Sequence, residues 1–364
     1  MKKIALLLCL LAYPSYAKEL SEGFSKYNNS SYLQISYTDL SALYDVIVLE
    51  NFENKRQVDR QRKSKQFRVG RKSMEHRNNH VANEANRVLL HSANDTVIEQ
   101  AAKHIRMSLQ SVPEQIDFSQ LHQKEQLVFW LNLYNIGLIE KTLSIYPRYK
   151  LEDESQDEDG YLSEKFIQVA GQSVSLKDIQ YRIVYPLFGE DKKVIYGFPQ
   201  GYLGSPQINA KAFNSVDIDA QLSELANEFI NSNRGLFIDT QGRVSGSKYY
   251  ESHLDLFNGM KSDLVTHWLE YADEDLKNAL TENNPIEFGV TAWSMFEALD
   301  MRKELGDKVD QNTNDELHRL LDTLDVEHEN ARQVILLLKE INTNKAPLSR
   351  FYGDDIESVK LTKS

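Results

Sequence analysis

The fold is decided by residues 129–135, F-W-L-N-L-Y-N, which lie inside the longer run 126–143, Q-L-V-F-W-L-N-L-Y-N-I-G-L-I-E-K-T-L. Apolar residues leave almost no polar face here, so the pattern predicts a helix that is buried on most sides. Asn132 and Asn135 share one side of this helix because residues three apart are neighbours. A buried amide without partners costs about 1 to 3 kcal/mol. We therefore expect both amides to hydrogen-bond to a neighbouring loop or to a ligand.

The N-terminus indicates export. Two lysines precede the apolar run 4–11, and residues 15–17, S-Y-A, supply small side chains at the usual cleavage spacing. We expect a signal peptide that is cut after Ala17, and a periplasmic or secreted bacterial protein. Cys9, the one cysteine, lies within this signal, so the mature chain is expected to lack disulfides and thiol nucleophiles. No later run approaches the roughly 18 apolar residues of a membrane span.

The net charge of −12 is unevenly distributed. Residues 55–77 hold ten basic side chains against two acidic ones, which is typical of a solvated loop or of a contact with an anionic envelope component. No nucleic-acid-binding signature surrounds this basic segment, so nucleic acid is not an expected partner. Residues 152–159 carry six carboxylates, but a calcium-loop alignment puts Ser155 and Phe166 at key ligand positions. We expect an acidic surface loop, no metal site and no cofactor.

Periodicity and turn residues predict a helix-rich α+β fold with a small, mainly antiparallel sheet. The domains are expected to be a signal peptide at 1–17, a single domain at 18–300 and a C-terminal helical extension at 301–364. Helices are predicted at 95–112, from Ser175 onwards, and at 219–230, 254–271, 290–305, 314–324 and 327–341. A strand is predicted at 166–171, another from residue 194 into a Gly/Pro loop, and a hairpin at 235–245.

Four segments resemble the characteristic blocks of a bacterial and plant family, domain of unknown function 547. They are F-W-L-N-L-Y-N, then S-L-K-D-I-Q-Y-R-I-V at 175–184, G-Y-L-G-S-P-Q-I at 201–208, and P-I-E-F-G-V-T-A-W-S-M-F at 285–296. The first block matches closely, and the others match in order and spacing. The resemblance spans residues 36–296 and implies a fold distantly similar to papain-like cysteine hydrolases.

The reactive groups of the family are replaced in this chain. Gln180 and Tyr181 stand where the family has glutamate and histidine, and Ser205 stands where it has cysteine. Trp293 is retained, but the tyrosine, aspartate and asparagine around it have become Thr291, Ala292 and Phe296. A cysteine, a histidine and a carboxylate suit nucleophilic catalysis. The resemblance therefore implies a degenerate site.

We predict a cleft that binds a peptide, a glycan or an anionic envelope component without catalysis, and its ligand contacts are Asn132, Asn135, Gln180, Tyr181 and Trp293. A hydrolase is an alternative, with Ser205 as nucleophile and His253 as base. Serine needs an adjacent base and an oxyanion hole, and a tyrosine at position 181 is a poor base near neutral pH. A structural assembly subunit is a further alternative, because the helices at 314–341 carry apolar stripes.

Overall fold

The computed structural model describes residues 20–50, 84–90, 95–146, 151, 160–239, 241–281, 286–296 and 361–363. Helices dominate these residues, and their strands form small sheets. The predicted helix-rich α+β class is confirmed. The expected signal peptide, the basic segment 55–77, the acidic segment 152–159 and the helix pair at 314–341 lie outside the described residues.

Most of the described chain is helical. The α-helices are α1 (Thr38–Ile47), α2 (Asp95–Gln110), α3 (Val112–Gln115), α4 (Gln123–Ile145), α5 (Tyr185–Phe188), α6 (Ile218–Asn231), α7 (Lys248–Ser252), α8 (Lys261–Tyr271) and α9 (Glu274–Thr281). There are also 3₁₀-helices at Phe118–Gln120, Lys192–Gly197 and Leu254–Phe257, and a π-helix at Asp178–Val184. Helix α2, predicted at 95–112, ends at Gln110, and α6 matches the predicted helix at 219–230.

The strands are short and pair locally. They are β1 (Leu33–Ile35), β2 (Val48–Leu49), β3 (Arg87–Val88), β4 (Ile167–Val169), β5 (Gln172–Val174), β6 (Leu236–Ile238), β7 (Val244–Ser247), β8 (Glu287–Val290) and β9 (Leu361–Lys363). The pairs β1–β9, β2–β3, β4–β5 and β6–β7 are antiparallel, and β7–β8 is parallel. The mainly antiparallel pairing is confirmed, although the strands are divided among four sheets.

Helix α4 lies at the centre of the core, as its sequence predicts. Residues 128–139 are all buried. Phe129 and Trp130 pack edge to face with ring centroids 5.0 Å apart, and each such ring contributes about 1.5 to 3 kcal/mol when buried. Helix α2 packs along α4, and the buried Arg106 pairs with Glu140 across the two helices. The family-like segment therefore forms the framework on which the rest of the domain packs.

The strand predicted at 166–171 is present in a shorter form, and the hairpin predicted at 235–245 is confirmed. The strand predicted at 166–171 is β4, and it turns back into β5 through Ala170 and Gly171, whose φ angles are +50° and +75°. Positive φ at both central residues is the geometry of a tight hairpin turn. The hairpin predicted at 235–245 is β6–β7, with Ile238 opposite Val244.

The helix predicted at 254–271 is wrong as a single element. Residues 254–257 form a 3₁₀-helix, and α8 begins only at Lys261. Asn258 and Gly259 interrupt the helix because their φ angles are +55° and +70°, in the left-handed region that a right-handed helix cannot contain.

Two further predictions are corrected around the Gly/Pro loop. The strand expected from residue 194 is the 3₁₀-helix Lys192–Gly197. The helix expected at 290–305 is described only over 290–296, where the chain is instead the end of β8 followed by non-helical backbone, and the Ser294 carbonyl accepts the Leu203 N–H at 2.9 Å. Residues 201–204 hydrogen-bond to this backbone. Such a long-range contact overrides local helix propensity.

Candidate functional site

The second family-like block forms a π-helix with a fixed start. Ser175 Oγ accepts the Asp178 N–H at 3.0 Å, and Asp178 Oδ2 accepts the Ser175 N–H at 3.0 Å. This reciprocal capping box confirms the helix start predicted at Ser175. The Tyr185 N–H then donates to the Gln180 carbonyl, five residues earlier. Gln180 is fully buried and Tyr181 is partly exposed, in a helix type that is frequent at functional sites.

His253 lies against Gln180 and Tyr181, the two positions at which the family resemblance implies a glutamate and a histidine. Its Nε2 is 3.0 Å from Gln180 Nε2 and 3.1 Å from the Tyr181 hydroxyl. Its Nδ1 is 2.6 Å from the Tyr249 carbonyl oxygen. A carbonyl only accepts, so the proton is on Nδ1 and Nε2 is the acceptor. Burial lowers the pKa of His253 to about 4, and the imidazole is therefore neutral near neutral pH.

Gln200 extends this network into the core. Its Nε2 donates to Gln180 Oε1 at 3.2 Å and to the Tyr134 hydroxyl at 3.0 Å. Gln180 Nε2 in turn donates to the Tyr185 hydroxyl at 2.7 Å. Sequence reasoning missed Gln200, although its place directly before the third family-like block was a usable signal. The amides and phenols together form one buried polar network.

Ser205 lies at another point of the same network, inside the Gly/Pro loop. Its Oγ accepts the Gln200 N–H at 3.0 Å and donates to the Tyr202 carbonyl at 2.7 Å. The side chain is buried, and within the described residues no histidine or carboxylate hydrogen-bonds to this hydroxyl. Among the described residues, His253 is connected to Ser205 through the side chains of Gln180 and Gln200 and then the backbone N–H of Gln200. The hydroxyl therefore holds a backbone turn.

The side chains of the two asparagines of α4 hydrogen-bond to backbone groups. Asn132 Nδ2 donates to the Phe213 carbonyl, and Asn132 Oδ1 accepts the Phe213 N–H, both at 2.9 Å. Asn135 Nδ2 donates to the Gly197 carbonyl at 3.0 Å and to the Leu131 carbonyl at 2.8 Å. Both asparagines are fully buried. Asn132 therefore holds a loop, whereas Asn135 holds the end of the 3₁₀-helix Lys192–Gly197, and its Oδ1 has no hydrogen-bond partner among the described residues.

Trp293 is partly exposed and packs on the Gly/Pro loop. Its ring centroid is 4.7 Å from that of Tyr202. Around it, the Phe296 N–H donates to the Gly201 carbonyl at 3.0 Å and the Gly204 N–H donates to the Ala292 carbonyl at 2.9 Å. Of the predicted ligand-contact residues, only Trp293 and Tyr181 reach the surface.

A buried ionic cluster, which the sequence analysis did not predict, anchors the Gly/Pro loop. Arg234 is fully buried and pairs with Glu228, and its guanidinium also donates to the carbonyls of Leu203 and Ser205. Glu84 accepts the Arg234 N–H at 3.1 Å. Burial raises the pKa of Glu228 and the charge of Arg234 opposes that shift. Apart from Glu228, six residues earlier, these partners are distant from Arg234 in sequence, so a local pattern could not indicate the whole cluster.

Among the described residues, no charged side chain contributes to the pKa shifts of Tyr181 and His253, the two groups at the outer end of the network. The pKa of His253 is lowered by burial and is raised to a smaller extent by its hydrogen bond to the Tyr249 carbonyl. Burial raises the pKa of Tyr181, and a hydrogen bond with Ser252 opposes this shift. His267 differs, because the charges of nearby lysines add to the effect of burial on its pKa. The pKa shifts of Tyr181 and His253 therefore arise from burial and from uncharged hydrogen-bond partners.

Other features of the described residues do not coincide with this network. A surface depression of about 410 Å³ is lined by Ser223, Glu224, Asn227, Glu228 and Tyr271, none of which was predicted as a site residue.

Across the described ranges, no three His, Cys, Asp or Glu side chains are grouped as a metal site would require. None of the described helices combines the length and apolar character needed to cross a membrane.

The fold and the network define a helix-rich α+β domain built around α4, with a buried amide and phenol network at its centre. Residues 118–230 match the family described as Protein of unknown function, DUF547, and the resemblance seen in the sequence blocks is confirmed over this range. The match contains α4, the π-helix, the Gly/Pro loop and α6, whereas His253, Arg234 and Trp293 lie beyond it. Neither the curated proteins nor the solved structures gave a match to the chain.

Proposed function

We propose that this protein is an exported binding protein in which the family's reactive site has become a rigid, non-catalytic polar network. The observation that carries the proposal is the state of Ser205. Its hydroxyl is buried and holds the turn between Gln200 and Tyr202. A serine nucleophile needs a base within hydrogen-bond reach of its proton, whereas this proton is directed to a carbonyl.

The environment of His253 supports the same proposal. Its Nε2 accepts from Gln180, and its Nδ1–H is committed to the Tyr249 carbonyl. A glutamine at position 180 cannot stabilise an imidazolium as a carboxylate would, and burial lowers the histidine pKa to about 4. General bases work best when their pKa lies near the operating pH. His253 is therefore suited to fixing the network rather than to accepting a substrate proton.

Binding would use the two partly exposed aromatic residues among the predicted contacts, Tyr181 and Trp293. Aromatic rings with a polar edge give large contact areas at a small entropic cost. The ligand is a peptide, a glycan or another envelope component, consistent with the expected export. The basic segment 55–77 would add a contact with anionic material.

Tryptophan fluorescence tests the binding proposal directly. Trp130 and Trp268 are fully buried, so iodide should quench mainly the partly exposed Trp293. The probe is a digest of bacterial peptidoglycan, which contains both peptides and glycans. We expect a saturable change in the fluorescence of Trp293 in the wild type. Calorimetry should show binding that is weakened in Trp293→Phe and kept in Trp293→Tyr, and mass spectrometry should recover the digest unchanged. Absence of binding, or products whose formation depends on Ser205, would overturn the proposal.

A further inference from the structure

The surface depression between α6 and α8 is lined by polar side chains that share one helix face. Glu224, Asn227 and Glu228 line it together with Ser223 and Tyr271. The first three stand at positions i, i+3 and i+4 of α6, so their side chains are neighbours on the helix surface. The volume of about 410 Å³ is within the usual range of small-molecule sites. The depression can therefore hold a small ligand or one side chain of a partner.

One carboxylate oxygen of Glu228 lacks a hydrogen bond. The residue is 7% exposed, and its Oε2 pairs with Arg234. Its Oε1 is buried and has no hydrogen-bond partner among the described residues. A buried acceptor without a donor is destabilising. Because Glu228 lines the depression, a ligand bound there can supply the missing donor.

Two further acceptor groups lie on the same face of α6. Asn227 Nδ2 donates to the Tyr271 carbonyl at 3.3 Å, whereas Asn227 Oδ1 accepts from no donor within the described residues. The carboxylate of Glu224 is exposed. The hydroxyl of Ser223, in contrast, already donates to the Asp219 carbonyl at 2.7 Å. Three side chains thus present acceptors to the depression, and none of these acceptors is a group that also donates.

The charges favour a cationic ligand. Two of the five lining residues are carboxylates and none is basic. Among the described residues, the cations that hydrogen-bond to lining side chains are Arg234 and Lys193, and both have carboxylate partners, Glu228 and Asp191. Within the same residues, the charge of Glu224 is left unpaired. An anionic ligand would be repelled here, whereas a cation would be attracted.

A primary ammonium group matches these acceptors. It carries three N–H donors and no acceptor, which equals the number of open acceptor groups. A guanidinium is planar and donates in a fixed fork, whereas the three acceptors stand on a curved helix face. A metal ion is a poorer fit, because no third His, Cys, Asp or Glu of the described residues joins the two carboxylates.

We propose that the α6 face formed by Glu224, Asn227 and Glu228 binds a primary alkylammonium group, which donates to one oxygen of each side chain. Tyr271 closes the depression on the α8 side. Free amines and lysine side chains both supply such a group. The inference goes beyond the proposed function, because none of these residues is among its ligand contacts.

Saturation-transfer NMR on the full chain tests the inference. The probes are butylammonium and Nα-acetyl-lysine methylamide, each at about 5 mM, a concentration suited to millimolar Kd values. We expect at least one to bind, with an affinity that falls at least about 3-fold between about 50 mM and about 500 mM NaCl because Glu224 is exposed to screening ions. Binding of butylammonium alone would identify a free amine as the ligand, and binding of the lysine derivative alone would identify a peptide.

Two reference compounds separate charge from hydrogen bonding. Butanol has the aliphatic chain without the charge, and tetramethylammonium has the charge without an N–H donor. Neither should bind in the depression, because the proposed recognition requires both properties in one group.

Variants of the α6 face locate the binding. Glu224→Gln should weaken it at least about 10-fold, because an ammonium loses its charged acceptor. Asn227→Asp keeps the side-chain oxygen and adds a charge, so it should strengthen binding about 3-fold or more. Both positions are exposed, and circular dichroism checks that the variants are folded. Glu228 is left unchanged, because its replacement would leave Arg234 unpaired.

Glu99→Gln is the matched control, since it makes the same change at an exposed position of α2, and its binding should equal that of the wild type. Equal affinities of the wild type and Glu224→Gln would overturn the inference. Failure of both amines to bind would also overturn it, as would tetramethylammonium binding as tightly as butylammonium.

Discussion

The Nε2 atom of His253 lies 3.1 Å from the hydroxyl oxygen of Tyr181, the residue that stands where the family resemblance expects a histidine. An imidazole is thus present beside the altered position, contributed by a segment 72 residues later in the chain. Its other nitrogen is committed to the Tyr249 carbonyl. The imidazole therefore has a structural role in the network.

Replacing His253 should destabilise the fold. His253→Leu leaves the Gln180 amide without its acceptor and removes the hydrogen bond to the Tyr249 carbonyl, which should lower the free energy of unfolding by about 1 to 3 kcal/mol. Urea unfolding followed by circular dichroism measures this loss. His104→Leu is the control, because that side chain is exposed on α2. Equal stability of the two variants would argue against a structural role for His253.

Stability should fall in mild acid. The pKa values of His253 and His267 are both about 4 in the folded protein, below the ordinary value of 6.5. The unfolded chain therefore binds more protons between about pH 6.5 and about pH 4, and stability decreases as the pH falls through this window. The loss should reach about 3 kcal/mol per histidine, at about 1.4 kcal/mol per pKa unit.

The pH dependence can be assigned by mutation. The raised pKa values of Glu125 and Glu228 act in the opposite direction, because protonation of a buried carboxyl with a raised pKa favours the folded state. Urea unfolding from pH 7 to pH 4 should therefore be compared between the wild type and His267→Gln. A slope that is unchanged in the variant would show that His267 does not titrate as expected.

Asn132→Leu should be strongly destabilising because Asn132 pairs with both backbone groups of Phe213. The substitution leaves a buried N–H and a buried C=O unpaired, at about 1 to 3 kcal/mol for each group. Asn278→Leu, at an exposed position of α9, is the matched control. Equal unfolding temperatures of the two variants would show that the hydrogen bonds between Asn132 and Phe213 contribute little to stability.

The ion pair under the Gly/Pro loop should show strong coupling. Arg234→Leu leaves Glu228 buried without its partner, and the cost should be about 3 to 5 kcal/mol. The double variant Arg234→Leu with Glu228→Leu should recover part of this loss, because neither charge of the pair is then left buried without its partner. A double-mutant cycle by urea unfolding gives the coupling energy. Additive effects would mean that the two side chains act independently.

Much of the fold could be predicted from local patterns. The apolar run 127–139 predicted the buried helix α4, and Ser175 with Asp178 predicted the capping box, because these signals depend only on neighbouring residues. The break at Asn258 and Gly259 was also readable in principle, since both residue types tolerate positive φ. It was missed because the apolar periodicity continues across it.

The site could be predicted only in part. The resemblance pointed to Gln180, Tyr181 and Ser205, which the structure joins in one network. Spacing could not show that Gln200 links them or that His253 closes the network, because these contacts depend on tertiary packing. The role of Arg234 could not be predicted for the same reason, because its partners include Glu84, 150 residues earlier.

The most direct test of the central claim is whether Ser205 reacts as a nucleophile. The folded protein should be treated with an alkyl fluorophosphonate, which labels activated serines, and analysed by intact mass and peptide mapping. We predict no adduct at Ser205, because its Oγ is buried and hydrogen-bonded to Gln200 and Tyr202. A stoichiometric adduct at Ser205 that disappears in His253→Leu, while that variant remains folded, would contradict the binding account and establish a serine hydrolase.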